Sequence, residues 1–220
     1  MQEKIVAHSD VVRLPGGAAL FRPGDPADGI YAALEGDLRA YVVGDDGERI
    51  FFRALGPGSW FGDANLLDGF NLRLFEAYAA SPAVVMLLPE KAYREFCDTD
   101  ATFYRAFVQL SLTHARHAMR ILVEARSEAP RRTARALLRL ARAHGMPGSE
   151  GTRLGMNLSQ ADLASLVGVS RQYMNELIAR WEQEGLLRWN GKAQPLLNTE
   201  GLSGLLGPLD AWIRDNDDWL

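Results

Sequence analysis

The stretch "LSQADLASLVGVSRQYMNELI", residues 158–178, decides how the whole chain is read. At a period of 3.6, Leu163, Leu166 and Val167 share one face of a first helix, and Met174, Leu177 and Ile178 share one face of a second. Ser159 and Ser170 each precede a helical pattern, where a hydroxyl accepts a hydrogen bond from an early N–H that the helix leaves unpaired. Gly168 supplies the positive φ that ends one helix and turns the chain into the next. Ala164 lets the two helices approach. Amphipathic halves alone would describe any helical hairpin. Together with the small residue and the turn glycine, they give the spacing of a helix-turn-helix, whose second helix enters the DNA major groove N-terminus first.

The charge pattern points the same way. The 220 residues carry a formal net charge of −4, but residues 1–129 sum to −5, residues 130–192 to +5 and residues 193–220 to −4. Only the block around residues 158–178 is positive. A local basic face is what phosphate contact requires, and whole-chain charge is a poor guide to it. By itself "RRTARALLRLAR", residues 131–142, could equally be a solvated helix face. The single cysteine, Cys97, excludes an internal disulfide and is too few for a cysteine-ligated iron–sulfur cluster or zinc site. A buried thiol is expected there. "MQEKIVAHSD" lacks an apolar signal core, and no apolar run approaches the roughly 18 residues of a membrane span. A cytoplasmic protein with no membrane partner is expected.

From residue 10 to about 90, short apolar runs alternate with glycine-bearing turns. "GIYAAL", "LRAYVV", "RIFFRAL" and "AVVMLLP" read as strands of an antiparallel sandwich or barrel. "FGDANLLDGFNLRLFEAYA", residues 61–79, is expected to insert a short helix before strand character resumes. A helix is then predicted from about Thr99 to Arg126, free of glycine and proline. Phe103, Phe107, Leu110, His114, His117, Ile121 and Glu124 recur on it at alternating spacings of four and three, the pattern of a coiled-coil seam. A second stripe, Val108, Leu112, Ala115, Met119 and Leu122, lies on another face. Two apolar stripes want two partners: one packs on the chain's own β-domain, the other on a second copy. A homodimer is therefore expected, with Phe103, Phe107, Leu110, His114, His117 and Ile121 at its interface. Pro130 opens a helix over 131–144, which "HGMPGSEG" should terminate. "EGLLRWNGKAQPLLN" reads as two strands joined at Asn190-Gly191, a wing behind the second helix of the pair. The expected class is α+β, with three domains: a β-roll over 1–97, a long dimerisation helix over 98–128, and a winged helix-turn-helix over 129–220.

A β-roll (double-stranded jelly roll), a long helix and a winged helix-turn-helix in this order resemble the cyclic-AMP receptor protein/FNR family of bacterial transcription regulators. The matching segments are "RPGDPADGIYAALEGDLRAY", the "FGD…R" cassette and "VGVSRQYMNELIARWEQEGLL". The resemblance implies a dimer on two-fold symmetric double-stranded DNA, RNA polymerase as a partner, and a small effector in the roll. It places Arg171 at the family's base-reading arginine, whose fork suits guanine O6 and N7. Gln172 suits adenine and stands where the family's best-known member has glutamate. Asn175 and Glu176 complete the exposed set. Glu176 departs from a second arginine and could accept from cytosine N4 or repel phosphate. Gln160, Ser170 and the wing's Lys192 are expected phosphate contacts.

At the effector end Gly62 and Arg73 match the cyclic-nucleotide cassette, but Asp63 replaces a glutamate and Leu74 a serine or threonine. His117 and Ala118 stand at the two adenine-contacting positions. Cyclic AMP is thus a poor match, and a roll that holds its shape without that ligand is an equal reading. Across a dimer, His114 and His117 would gather four imidazoles, which could ligate a metal or haem iron. Plain interface histidines are the preferred account, and neither metal site nor cofactor is assigned. The runner-up function is a cyclic-nucleotide-type module acting through protein contacts. No HExxH, GxSxG, P-loop or CxxC motif supports an enzyme.

Overall fold

The computed structural model describes residues 1–44, 47, 49–63, 71–124, 126–189 and 194–206, with backbone only for 120–124. It divides into two compact units, Met1–Met119 and Arg120–Leu220.

In the first unit, α1 (Gln2–Ala7) precedes eight strands: β1 (Asp10–Leu14), β2 (Ala19–Phe21), β3 (Gly29–Glu35), β4 (Leu38–Val43), β5 (Arg49–Leu55), β6 (Trp60–Phe61), β7 (Glu76–Ala79) and β8 (Ala83–Pro89). They form two antiparallel four-stranded sheets, ordered β1-β8-β3-β6 and β2-β7-β4-β5. The four apolar runs expected to be strands are β3, β4, β5 and β8. Between the sheets lie Phe21, Tyr31, Leu38, Ala40, Leu55, Phe61, Ala77 and Val85. Aromatic rings fill much of this interior, with Tyr31 stacked on Phe61 at 5.7 Å and Phe21 edge-on to Phe75 at 5.3 Å. One irregularity matters later: Ala40 faces Arg53 but Tyr41 faces Phe51, so Phe52 is an extra residue in β5. Such a bulge re-aims the side chains beside it. Residues 64–70 of the segment expected to insert a short helix lie outside the described residues.

The helical region departs from expectation in two ways. The long helix expected from about Thr99 to Arg126 is α3 (Ala101–Glu124), but a helix not expected from the sequence, α2 (Glu90–Thr99), precedes it and ends at an extended Asp100. Asp100 Oδ1 accepts hydrogen bonds from the Thr102 and Phe103 N–H groups at 2.9 and 3.0 Å, so the break is a cap. Second, the stripe expected at a dimer interface packs, at Phe103, Phe107 and Leu110, on the chain's own core. Phe103 is buried against Tyr93 and Phe96 of α2, with ring centroids 5.9 and 5.4 Å apart. Phe107 meets Tyr93 at 4.9 Å, and Leu110 packs on the same cluster. These three residues pack in their own chain's core. The outward stripe is the other one, where Leu112 and Met119 are 52% and 67% exposed. The edge-to-face rings on α2, which α3 alone does not reveal, choose the face.

The second unit contains α4 (Ala129–His144), β9 (Gly145–Gly148), β10 (Gly151–Leu154), α5 (Gln160–Val167), α6 (Arg171–Gln183), β11 (Leu187–Arg188), β12 (Leu196–Leu197) and α7 (Thr199–Gly204). "HGMPGSEG" does more than end a helix: it forms the β9–β10 hairpin, which joins the wing strands in one sheet ordered β11-β12-β10-β9. Glycine and proline hide this strand from pattern reading, and its pairing comes from β12, more than forty residues away. The Asn190-Gly191 turn and Lys192 lie outside the described residues.

Between α5 and α6, Gly168 adopts φ +73° and ψ +49°, and its N–H donates to the Ala164 and Ser165 carbonyls. An added Cβ there would meet nothing within 4 Å, so the only penalty is conformational. Gly168→Ala should therefore cost about 1–2 kcal/mol, the left-handed penalty for an L-residue. Gly168→Asn should cost less, with urea denaturation ranking the three chains.

Candidate nucleic-acid interface and effector chamber

The recognition face is built from caps and a buried ridge. Ser159 and Asp162 form a reciprocal capping box on α5, with Ser159 Oγ accepting from the Asp162 N–H at 3.0 Å. Ser170 Oγ accepts from the Tyr173 N–H at 3.2 Å and starts α6. Met174, Leu177, Ile178 and Trp181 are then buried on one side of α6. At roughly 1.5–3 kcal/mol for each fully buried large apolar side chain, this ridge holds the helix in place. Arg171, Gln172, Asn175 and Glu176 project from the other side, all exposed. Ser170 is exposed at the N-cap and Gln160 half-buried at the start of α5.

Two of these side chains are coupled. Gln172 Nε2 donates to Glu176 Oε1 at 3.1 Å, one turn along. A carboxylate only accepts, so the amide nitrogen of Gln172 must face Glu176, leaving its oxygen and second N–H to point elsewhere. Of the basic block, Arg132 Nε donates to the Val167 carbonyl at 3.1 Å, and Arg135 Nη1 donates to Ser127 Oγ at 2.9 Å. These arginines brace α4 against neighbouring segments rather than forming a plain solvated face. On the wing sheet, Arg188 pairs with Glu150 at 3.3 Å and joins β11 to the β9–β10 turn.

In the roll, the polar residues expected at an effector are already engaged. Arg73, 4% exposed, donates from Nη1 to the Gly62 carbonyl and from Nη2 to the Gly29 carbonyl, both at 2.8 Å, and pairs with Asp28. Its guanidinium lies over the Phe21 and Tyr31 rings at 4.5 and 5.3 Å. Gly62, at φ +84°, is required by this approach: a Cβ would sit 2.6 Å from Arg73 Nη1. Asp63, 6% exposed, accepts from His114 Nδ1 at 3.0 Å and from Ser111 Oγ at 3.2 Å. Burial alone would raise its carboxyl pKa, but the His114 and Ser111 bonds hold it below the ordinary value. Leu74 is 57% exposed, Ala118 exposed and His117 half-buried. His114 turns to its own roll, because a buried carboxylate needs a donor. The Ile121 side chain is outside the described set. Cys97 is half-buried, and burial pushes its thiol pKa up, so it stays protonated.

These residues do not fit a cyclic nucleotide held in the family's manner. The arginine meant for phosphate already holds Asp28 and two carbonyls through its Nη atoms, with its buried Nε left without a partner among the described residues, and the carboxylate meant for ribose already accepts from His114 and Ser111. Among the described residues, no group of three His, Cys, Asp or Glu side chains is placed to hold a metal ion.

Residues 11–100 match the cyclic nucleotide-binding domain family, and residues 131–205 match the Crp-like helix-turn-helix domain family. The chain belongs to the Crp/Fnr family of transcription regulators. It is a transcription regulator with an effector-binding domain and a helix-turn-helix DNA-binding domain. It is 24% identical to the CRP-like cAMP-activated global transcriptional regulator of Mycobacterium tuberculosis, over 87% of this chain and 86% of that protein. It is 28% identical to the CRP-like protein Clp of Xanthomonas euvesicatoria pv. vesicatoria, over 90% and 88%. Its fold superposes on FixK2 from Bradyrhizobium japonicum with a TM-score of 0.80 at 21% identity, covering 90% of this chain and 98% of that one. Among the described residues no helix is long and apolar enough to cross a membrane.

His114→Leu should destabilise the chain by about 1.5–3 kcal/mol, the worth of a hydrogen bond to a charged group. A depressed folded-state carboxyl pKa gives stability that is full above the unfolded value of 3.8 and is lost as pH falls through the folded one. In thermal melts, the gap between wild type and variant should therefore be widest near neutral pH and should close in acid.

Proposed function

We propose that this regulator binds two-fold symmetric double-stranded DNA as a cytoplasmic homodimer, reading bases with α6. The observation that carries this reading is the division of α6 into a buried ridge and an exposed set of hydrogen-bonding side chains at its N-terminal end. Arg171 pairs with guanine through O6 and N7. Gln172 presents its amide to adenine N6 and N7 while Glu176 fixes which way the amide faces. Asn175 borders the same edge. Gln160, Ser170 and the wing's Lys192 meet phosphates and set register without reading sequence. The work is binding, not catalysis. RNA polymerase is the expected partner once DNA is bound.

The dimer uses the outward stripe of α3. Val108, Leu112, Ala115 and Met119 follow the four-three alternation of a coiled-coil seam and leave two large apolar residues in water in the monomer. A two-fold site requires two recognition helices about one DNA turn apart, roughly 34–36 Å. The roll biases that spacing through differential affinity of its effector for two states. A cyclic nucleotide held by Arg73 and Asp63 would compete with contacts that those side chains already make, which favours a different effector.

Two measurements test this. Sequence selection from a random duplex pool should return a two-fold symmetric site. Arg171→Ala should lose about 1–3 kcal/mol of discrimination, roughly 5- to 150-fold, at one guanine in each half. Leu112→Glu with Met119→Glu should give a monomer in sedimentation that no longer holds the two-fold site. A wild-type dimer that selects no sequence would favour the protein-docking module instead.

A further inference from the structure

Arg53 is a charged residue of the roll that takes no part in the contacts above. In the β2-β7-β4-β5 sheet it stands opposite Ala40, which in turn stands opposite Ala77. Both alanines are fully buried on the inner face, and Leu55, two residues on from Arg53, is buried there too. The bulge at Phe52 turns two consecutive side chains toward that face. Phe52 meets Phe75 edge-on at 5.6 Å within the core cluster, and Arg53 enters beside it. Its guanidinium makes no hydrogen bond or ion pair among the described residues. The charge it senses is that of Asp63, whose oxygens already accept from His114 and Ser111. Burial works against its charged form and pushes its pKa below the ordinary arginine value. A half-buried cation without a hydrogen-bonding partner is costly unless something brings a matching charge.

We propose that Arg53 is the anion-binding residue of the roll, and that the effector is a small organic anion whose carboxylate or phosphate it neutralises. This rests on the reading of the chain as an effector-gated regulator. It differs from the family's cyclic-nucleotide arrangement in the residue used: Arg73 is a strut, held by Asp28 and two carbonyls, whereas the Arg53 fork makes no hydrogen bond among the described residues. A planar guanidinium takes a carboxylate or phosphate through two parallel N–H···O bonds. The half-buried Phe52 and Phe75 rings beside it offer flat apolar surface for the body of such a ligand.

The test uses the full chain, with inorganic phosphate or benzoate replacing chloride at matched ionic strength, and reads thermal melting. Wild type should melt higher in at least one of the two. Arg53→Gln should abolish that rise, whereas Arg171→Ala keeps it, which separates the roll from anion contact at the recognition helix. In chloride alone Arg53→Gln should melt about 2–4 °C above wild type, because an uncompensated charge has gone. A rise with phosphate only assigns a phosphate ester, and a rise with benzoate only assigns a carboxylic acid. No rise with either anion overturns the proposal, as does a rise that survives Arg53→Gln. A variant that melts below wild type in chloride makes Arg53 a structural pillar and overturns it as well. Duplex selection by the same wild-type protein is scored separately. Selection without an anion effect sinks only this inference, and an anion effect without selection sinks only the DNA reading.

Discussion

The roll depends on where one guanidinium goes. Arg73 gathers Asp28 and Gly29 at the start of β3, Gly62 just after β6, and the faces of Phe21 and Tyr31. These segments are far apart in sequence, and none bonds directly to all the others. A buried arginine needs acceptors in the plane of its donors, and two carbonyls with one carboxylate supply them to the two Nη atoms, while the buried Nε has no partner among the described residues. The Tyr31 hydroxyl completes the set by donating to the other Asp28 oxygen at 2.7 Å. Gly62 has no side chain because the guanidinium occupies that space. The residue that looks most like a ligand anchor is therefore spent on holding the chamber together.

A second polar cluster joins the chamber to the helix that leaves it. Asp63 lies on the roll, and Ser111 and His114 sit one turn apart on α3. With Phe103, Phe107 and Leu110 packed on the α2 aromatics, α3 is fastened to the roll from Phe103 to His114. Its opposite side carries Leu112 and Met119 into solvent.

Much of this was legible in the sequence, for identifiable reasons. Residues 158–178 carry local signals at every level (caps, period, turn glycine), and α5, Gly168 and α6 stand where those signals put them. The strands β3, β4, β5 and β8 were readable because each is a long apolar run between turns. The β9–β10 hairpin was not, since its glycines and proline oppose strand formation and only pairing with β12 overrides them. The facing of α3 was also hidden: both stripes are apolar, and the Tyr93 and Phe96 rings decide between them. The effector chamber misled for a different reason. Gly62, Asp63 and Arg73 have the right spacing, but whether a charged side chain is free depends on Asp28, His114 and Ser111, which lie elsewhere in the chain. Arg53 carries no motif at all; its significance comes from the bulge that turns it inward.

The division of labour along α6 also bears on how such a protein changes over generations. The side chains that fix the helix and those that face outward are disjoint sets, one almost wholly dry and the other wholly wet. Replacing a member of the wet set perturbs neither the ridge nor the caps, so new DNA addresses can be sampled with little threat to folding. A lineage built on this helix can retarget its genes one surface residue at a time.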